Sequence, residues 1–358
     1  MKIGVIGGGQ LGRMLALAGT PLGMQFVFLD PAPDACAAPL GTHICADYHD
    51  PEYLRQLADQ VDLVTFEFEN VPADTVAFLS QFAPVYPGAE SLRIARDRLF
   101  EKTLFQQLDI PVAPFAAIDS QEDLQRAVAQ LGLPAVLKPR TLGYDGKGQL
   151  VLRSAADVEG AFAELGAVPC ILESFVNFTG EVSLLAVRGR DGSTQAYPLV
   201  HNVHENGILR LSTASTDHPL QALAEQYAFR VLDQLDYIGV LAFEFFELNG
   251  GLCANEMAPR VHNSGHWTIE GAECSQFENH LRAISGLPLG STAKVGESAM
   301  VNFIGQVPPI AALAAISQCH IHHYGKAFKD GRKVGHATLR CAQKAELEQR
   351  LAQLRELC

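Results

Sequence analysis

The chain has 358 residues, of which 48% are hydrophobic and 19% are charged, and its formal net charge is −13. This length and composition predict a globular protein with more than one hydrophobic core. The acidic excess argues against a nucleic-acid or anionic-membrane partner, because both need a basic surface. With no signal peptide and no apolar run long enough to span a bilayer, we expect a cytoplasmic protein.

The first thirty residues alternate between predicted strand and helix. The strand KIGVI meets a loop with the spacing Gly7-x-Gly9-x-x-Gly12, and Asp30 ends the next predicted strand. This spacing is typical of dinucleotide-binding proteins, but glycines simply let an anion approach a helix N-terminus. The motif by itself is weak evidence for a nicotinamide cofactor.

Changes of pattern along the chain predict the domain boundaries. The α/β alternation predicts a doubly wound, Rossmann-like domain over residues 1–97. A basic helix then leads through prolines into a second unit at 98–178, and longer strands follow at 179–299. Residues 300–358 form a predicted small C-terminal domain. The expected fold class is therefore a mixture of α/β and α+β.

A lysine and a glycine-rich loop stand out in the second unit. Lys138 ends the buried strand LPAVLK, so its ammonium group needs a negative partner. The loop GYDGKGQ at 143–149 exposes amides that can close over phosphates, and Lys147 adds a positive charge. It is not a Walker loop, because the order Gly-x-x-x-x-Gly-Lys-Ser/Thr is absent. A plain hairpin turn is the alternative, but a nucleotide triphosphate with Mg²⁺ explains more residues.

A predicted hairpin further along sets two carboxylates side by side. The apolar run 240–248 meets the turn signal Asn-Gly-Gly, and a second strand follows. If the turn is centred on Gly250, Glu244 lies opposite Glu256, with Cβ atoms roughly 5 Å apart. Like charges in apolar strands need a cation, and Mg²⁺ fits best. Alternatively, one carboxylate faces water, or a register slip separates the pair.

The loop after this hairpin concentrates polar side chains beside the predicted metal site. It contains Arg260, His262, Asn263, Ser264 and His266, a set that suits an anion with developing negative charge. The same residues can instead satisfy backbone groups in an irregular turn. The histidine spacing also suggests zinc, but the glutamate of helical metalloproteases and partner cysteines at ligand spacing are absent.

These motifs together resemble a known superfamily. The Lys138 strand, GYDGKGQ, the segment ESFV and the paired glutamates resemble ATP-grasp enzymes. Within that superfamily, QLGRML, GYDGKGQ, GEVSLL, NEMAPRVHNSGHWT and GRKVGH resemble the N5-carboxyaminoimidazole ribonucleotide synthetases, the ATP-dependent carboxylases of purine biosynthesis. The resemblance runs from about residue 2 to about residue 340. It implies an ATP-grasp fold that follows a pre-ATP-grasp domain, and it implies a homodimer.

The resemblance implies ATP and Mg²⁺ as cofactors. Arg98 and Lys138 would lie near the phosphates, Glu181 would bind the ribose hydroxyls, and Glu244 and Glu256 would hold Mg²⁺. The other residues implied in ATP binding are Gly143, Tyr144, Asp145, Gly146, Lys147, Gly148, Gln149, Glu173, Ser174, Phe175, Val176, His204 and Asn255.

One position departs from the pattern of these relatives. Two residues after the second glutamate they often carry Asn, which completes the metal shell, whereas this chain has Ala258. Asn255 or water would then be the third ligand.

The implied reaction has two stages. Bicarbonate attacks the γ-phosphorus of ATP to give carboxyphosphate. The amine of 5-aminoimidazole ribonucleotide then captures the carboxyl group or the carbon dioxide released from it. Lys138 and Arg260 would stabilise the phosphate charge, and His262, Asn263 and Ser264 would hold bicarbonate.

The ribonucleotide needs contacts of its own. Tyr144 and Asp145 would orient the aminoimidazole ring. Its 5-phosphate needs an anion site, and the candidates are Gly8, Gly9, Gln10, Leu11, Lys326, Arg332 and Lys333.

Three rival functions are distinguishable. A formate-dependent glycinamide ribonucleotide ligase shares the Gly-x-Gly-x-Leu-Gly pattern and a Pro-Arg-x-His loop, but GYDGKGQ and HNSGHWT favour the aminoimidazole enzyme. An NAD-dependent oxidoreductase would leave Lys138, Glu244 and Glu256 unexplained. A non-catalytic regulator would bind ATP without turnover.

Overall fold

The computed structural model describes residues 1–142 and 148–358, whose strands build an N-terminal sheet, a small sheet and a large sheet. The N-terminal sheet is parallel, with the order β3-β2-β1-β4. Its elements are β1 (Lys2–Ile6), α1 (Gln10–Gly19), β2 (Gln25–Leu29), β3 (Thr42–Ile44), α2 (Pro51–Ala58), β4 (Leu63–Phe66), α3 (Ala73–Leu79) and α4 (Ala89–Ala95). The predicted doubly wound alternation is therefore confirmed.

The small sheet is antiparallel, with the order β5-β8-β6-β7. Asp97 begins the helix that precedes it, because the Asp97 side chain accepts a hydrogen bond from the Leu99 N–H group. The elements of this unit are α5 (Arg98–Gln107), β5 (Phe115–Ile118), α6 (Gln121–Leu131), β6 (Ala135–Pro139), β7 (Leu150–Leu152), α7 (Ala155–Val158), α8 (Ala161–Glu164) and β8 (Cys170–Ser174).

The large sheet runs in the order β14-β13-β9-β11-β12-β15-β17-β16, with β10 paired to β9. Its strands are β9 (Gly180–Arg188), β10 (Thr194–Ala196), β11 (Val200–Glu205), β12 (Ile208–Ala214), β13 (Gly239–Leu248), β14 (Gly251–Ala258), β15 (Glu297–Ile304), β16 (Cys319–His323) and β17 (Lys333–Cys341). The helices of this part are α9 (Gln221–Gln234), α10 (Thr268–Gly271), α11 (Gln276–Ser285), α12 (Ile310–Ala315) and α13 (Lys344–Arg355).

The large sheet continues across one predicted boundary. A break between residues 299 and 300 would cut β15, which pairs with β12 on one side and with β17 on the other. The C-terminal residues therefore extend the large sheet instead of forming a sheet of their own. The predicted breaks after residues 97 and 178 fall between elements.

One hydrophobic cluster joins the N-terminal sheet to the large sheet. It contains Leu11 and Leu15 of α1 together with Phe277, Leu281 and Ile284 of α11. This packing fixes the N-terminal end of α1 beside the strands of the large sheet. In the described residues, no helix combines the length and the apolar character that crossing a membrane requires.

Candidate active site

A cavity of about 810 Å³ is lined by the small sheet, the large sheet, and helix and loop residues of the N-terminal domain, and its size suits a small-molecule site. The predicted site residues that line it are Gln10, Leu11, Arg98, Lys138, Gly148, Gln149, Glu173, Ser174, Phe175, Val176, Glu181, His204, Glu244, Asn255, Glu256, Arg260, His262, Asn263, Lys326, Arg332 and Lys333. The predicted site residues Gly143, Tyr144, Asp145, Gly146 and Lys147 lie outside the described residues.

The carboxylate hairpin, formed by β13 and β14, has the predicted pairing of Glu244 with Glu256. The route to this pairing differs from the prediction. Leu248 pairs with Gly251, so the turn has two residues, and this register alone would place Glu244 opposite Asn255. A β-bulge at Asn255 inserts one extra residue and brings the glutamates into register. The bulge therefore puts both carboxylates on one face.

The His262 ring beside the paired carboxylates does not compensate their charge, whereas His204 and Lys333 act to lower the pKa of Glu244. Burial and the Glu256 charge raise the pKa of Glu244 to about 7. Glu244 Oε1 lies 3.5 Å from His262 Nε2, but burial and Arg260 hold the pKa of His262 well below its usual value. This histidine is therefore neutral. Two facing carboxylates with oxygen donors fit a hard divalent cation such as Mg²⁺.

Lys138 is held by a buried chain of charges. Its ammonium group lies 3.2 Å from Glu173 Oε1, and Glu173 Oε2 lies 3.3 Å from Lys102 Nζ. Burial acts to raise the pKa of Glu173, but the two lysines outweigh it and lower that pKa. The Glu173 carboxylate therefore holds Lys138 in place. Because both of its oxygens face lysines, an adenine would have to contact other atoms of the segment 173–176.

Arg260 is held by a residue of the N-terminal domain. Its Nε donates to Glu69 Oε2, in the loop that follows β4. Burial acts to raise the pKa of Glu69, but Arg260 outweighs it and keeps that pKa below its ordinary value. This ion pair aligns the guanidinium group at the cavity wall.

The remaining loop residues divide between the cavity and its support. His262 and Asn263 line the cavity, whereas Ser264 is fully buried and does not. Ser264 Oγ lies 2.8 Å from His262 Nδ1, and Asn263 exchanges two hydrogen bonds with Asn302 of β15. Ser264 therefore supports His262 from behind.

The glycine loop, residues 7–12, binds carboxylates of this same chain. Gly9 N and Gly12 N donate to the two oxygens of Glu67 at 2.5 and 2.7 Å. Gly8 N donates to Asp30 Oδ2 at 2.7 Å. Gly8 and Gly9, both predicted phosphate ligands, do not line the cavity and have their amides engaged. A phosphate site here is restricted to the next two residues of α1.

Basic side chains gather at that end of α1. Lys326 Nζ donates to Gln10 Oε1, and Arg332 and Lys333 line the same cavity. Burial lowers the pKa of Lys326. These basic groups beside the start of α1 make this corner of the cavity suited to an anion.

Another part of the cavity wall has features that suit a nucleoside. Phe178 and Phe246 stack with centroids 4.6 Å apart, and both line the cavity with Phe175. Glu181 Oε2 lies 3.1 Å from His204 Nδ1, and this carboxylate raises the pKa of His204 against the effect of burial. Aromatic faces beside a carboxylate suit a base and its ribose hydroxyls.

A zinc site at His262 and His266 receives no support. His262 Nε2 faces Glu244, whereas the fully buried His266 ring packs against Phe277 and His336. The two imidazoles therefore have different surroundings, and they do not face a common position for a metal ion.

A second group of potential ligands lies on the opposite face of the large sheet. His201 and Glu247 alternate with the cavity-facing residues, and His218 lies beside them. His218 Nδ1 accepts a hydrogen bond from Leu220 N, so its Nε2 carries the proton and has no lone pair for a metal.

Four charged residues of this region were missing from the sequence predictions. Glu67 and Glu69 belong to the run FEFE (66–69) and come directly after β4. They therefore lie at the carboxyl end of a parallel strand, where ligands bind in α/β sheets. Glu101 and Lys102 lie on the buried side of α5 with Leu104 and Phe105. Two adjacent charged residues at positions that a helix buries are the pattern that could have identified them from the sequence.

Family models match almost the whole chain. They describe a ribonucleotide synthetase preATP-grasp domain at residues 1–96, an ATP-grasp domain at 103–277, and a phosphoribosylaminoimidazole carboxylase C-terminal domain at 298–350. The order of these three matched segments along the chain agrees with the fold described above.

Individual proteins are similar over their full length. The N5-carboxyaminoimidazole ribonucleotide synthase of Pseudomonas aeruginosa is 76% identical and is matched over 100% of this chain and 99% of its own. The corresponding synthetase structure from Thermus thermophilus has a TM-score of 0.96 at 54% identity, covering 99% and 98% of the two chains.

A third similarity concerns a structure with ligands. The Aspergillus clavatus N5-carboxyaminoimidazole synthase in complex with ADP and 5-aminoimidazole ribonucleotide has a TM-score of 0.91 at 31% identity, with 99% and 98% of the chains covered. Because the Pseudomonas aeruginosa synthase is 76% identical over the full length, the chain belongs to the N5-carboxyaminoimidazole ribonucleotide synthase family of ATP-grasp enzymes.

Proposed function

We propose that this protein carboxylates 5-aminoimidazole ribonucleotide with ATP and bicarbonate, yielding N5-carboxyaminoimidazole ribonucleotide, ADP and phosphate. The observation that supports it best is that Lys138, Arg260 and the facing carboxylates Glu244 and Glu256 open into one cavity. This combination binds and activates a nucleotide triphosphate. The Pseudomonas and Aspergillus relatives support the ribonucleotide as acceptor.

In the first step, a bicarbonate oxygen attacks the γ-phosphorus and ADP leaves, giving carboxyphosphate. Charge spreads over the transferring phosphoryl oxygens, so positioned cations are the main catalytic contribution. Lys138, fixed by Glu173, and Arg260, fixed by Glu69, supply that charge. His262 is neutral and has the neighbouring Asn263 beside it, so both are suited to hold bicarbonate by hydrogen bonds.

In the second step, the exocyclic amine attacks the activated carboxyl carbon. Phosphate leaves, the amine loses a proton, and the carbamate forms. Because carboxyphosphate reacts quickly with water, the site has to be covered at this stage. The glycine-rich loop 143–149, which the sequence predicts to close over phosphates, would provide this cover as part of the proposal.

Mg²⁺ belongs to the same proposal. Glu244 and Glu256 would hold it, with Asn255 or water completing the shell, since Ala258 offers no ligand. When bound, the ion neutralises charge on the β- and γ-phosphates.

The ribonucleotide phosphate is assigned to the corner at the start of α1. The amides of Gln10 and Leu11 and the cations of Lys326, Arg332 and Lys333 supply its contacts. A dinucleotide pyrophosphate has no comparable place, because Asp30 and Glu67 hold the glycine amides. This observation argues against the NAD-dependent alternative.

Phosphate release tests the proposal directly. Purified protein with MgATP is assayed with bicarbonate or formate, and with 5-aminoimidazole ribonucleotide, glycinamide ribonucleotide or no acceptor. We expect release only with bicarbonate and the aminoimidazole, and its loss in Glu256→Ala. Release that needs formate and glycinamide ribonucleotide would assign the other ligase; ATP binding without release would indicate a regulator.

Assembly as a homodimer and a cytoplasmic location complete the proposal. The family resemblance supports the homodimer. Analytical ultracentrifugation of the purified protein tests the first, and a monomer at micromolar concentration would contradict it.

A further inference from the structure

Helix α5 carries two adjacent charged residues that are almost completely buried. Glu101 is 2% exposed and Lys102 is 1% exposed. Neither residue has a part in the reaction steps proposed above. Burial of charged groups is costly unless specific partners receive them. The partners of both side chains include the backbone of β14.

Three hydrogen bonds connect this edge of β14 to its neighbours. Lys102 Nζ donates to Ala254 O at 3.2 Å, and Met257 N donates to Glu101 Oε1 at 2.6 Å. Ala254 N donates to Pro111 O at 2.7 Å. These bonds lie on either side of Asn255, the extra residue of the bulge.

The bulge changes which backbone groups face outward. In a regular strand every second residue bonds to the same neighbour, so Ala254 and Glu256 would face the outer edge and Met257 would bond to β13. Here the outward positions step from Ala254 to Met257. Glu101 and Lys102 meet the backbone on the two sides of that step.

We propose that Glu101 and Lys102 are positioning residues that hold the Asn255 bulge and thereby keep Glu256 on the cavity face opposite Glu244. The inference rests on the proposed function, because that function assigns the metal to this pair. Lys102 also contacts Glu173, the partner of Lys138. One turn of α5 therefore braces both the metal pair and the phosphate lysine.

An isosteric pair of variants tests the role of the hydrogen bond. Glu101→Gln and Glu101→Met both remove the ionisable carboxyl group and keep a similar volume, but only Gln keeps an acceptor for Met257 N. Mn²⁺ binding in the presence of ADP is measured by electron paramagnetic resonance. We expect Glu101→Met to weaken Mn²⁺ binding about tenfold and Glu101→Gln to stay close to wild type.

Two further readouts separate positioning from a general loss of structure. ADP binding in EDTA should be equal in wild type and both variants. In turnover, Glu101→Met should raise the half-saturating Mg²⁺ concentration while kcat recovers at saturating Mg²⁺. If Glu101→Met does not fold, Lys102→Met, which removes the bond to Ala254, takes its place with the same expected loss of Mn²⁺ affinity.

The possible failures are distinguishable. Wild-type Mn²⁺ affinity in Glu101→Met, or equal weakening in Glu101→Gln, would overturn the positioning role while Glu256→Gln still abolishes metal binding. Mn²⁺ binding that is unchanged in Glu256→Gln would overturn the metal assignment in the proposed function, and the inference with it.

Discussion

The glycine loop and the carboxylate hairpin both concentrate polar groups near the cavity, yet they differ in what the fold leaves unsatisfied. In the glycine loop, the amides of Gly9 and Gly12 meet the Glu67 carboxylate, so donors and acceptors of the chain satisfy each other. In the hairpin, Glu244 and Glu256 present acceptors to one another. Backbone amides in a glycine motif are available to a ligand only where the fold has not already paired them.

The strongest test compares two glutamates of β13 that point to opposite faces. Glu244→Gln removes a charge from the metal pair, and we expect phosphate release to fall at least about 100-fold. Glu247→Gln, on the other face of the same strand, should stay within about twofold of wild type. Steady-state kinetics at fixed MgATP checks both. Equal rates in the two variants would remove the hairpin from the proposed mechanism.

Glu69→Gln tests whether the N-terminal domain holds Arg260 in its catalytic position through the Glu69 carboxylate. The substitution leaves the Arg260 guanidinium group without its charged partner, so we expect kcat/KM for the ribonucleotide to fall roughly 10- to 100-fold. Glu90→Gln, which breaks an exposed pair with Arg93, should have little effect. A wild-type kcat/KM for Glu69→Gln would show that packing alone aligns Arg260.

Gly9→Ala tests the closed state of the glycine loop. A Cβ atom at Gly9 would lie 2.5 Å from Glu67 Oε1, so the carboxylate has to move away from the amides. We expect the free energy of unfolding to fall by about 1–3 kcal/mol, measured by urea denaturation. Gly88→Ala is the matched control, because its Cβ would meet nothing within 4 Å. Equal losses in both variants would contradict the internal pairing.

His280 connects the N-terminal sheet to strand β13 of the hairpin, and its protonation gives the smallest predicted effect. Its Nε2 lies 2.9 Å from Thr65 Oγ1 in β4, and its Nδ1 accepts from Val240 N in β13. Burial lowers the pKa of His280 from 6.5 to about 4, so the folded state favours the neutral ring. Its contribution to stability is present above pH 6.5 and is lost as the pH falls towards 4.

Denaturation at a series of pH values measures this contribution. Between pH 6.5 and 5.5 the His280 ring should account for about 1 kcal/mol of lost stability. His280→Gln, which keeps an acceptor for Val240 N, should show a correspondingly shallower slope. Each variant is compared with its own stability at pH 7, so that packing changes cancel. An unchanged slope would assign the acid sensitivity to other buried histidines.

Sequence reasoning located the main elements of the site because their signals are local. Turn residues and apolar runs predicted the hairpin, and the position of Lys138 at the end of a buried strand predicted its need for a negative partner, which is Glu173. The pairing of Glu244 with Glu256 was predicted correctly, but the predicted register is wrong for the four pairs nearer the turn, because the sequence gives no sign of a two-residue turn offset by the bulge at Asn255. A bulge depends on what contacts the outer strand edge, and here those contacts come from α5.

The sequence by itself determined the kinds of groups available: glycines before a helix, a strand-end lysine, facing glutamates and a polar loop. Each follows from periodicity and turn chemistry within a few residues. Only the tertiary structure decided which groups pair with one another inside the chain. Glu67 closes the glycine loop, Glu69 holds Arg260, and Glu173 holds Lys138 through contacts that cross between domains or strands. Such pairings depend on distances in space, which spacing along the chain does not encode.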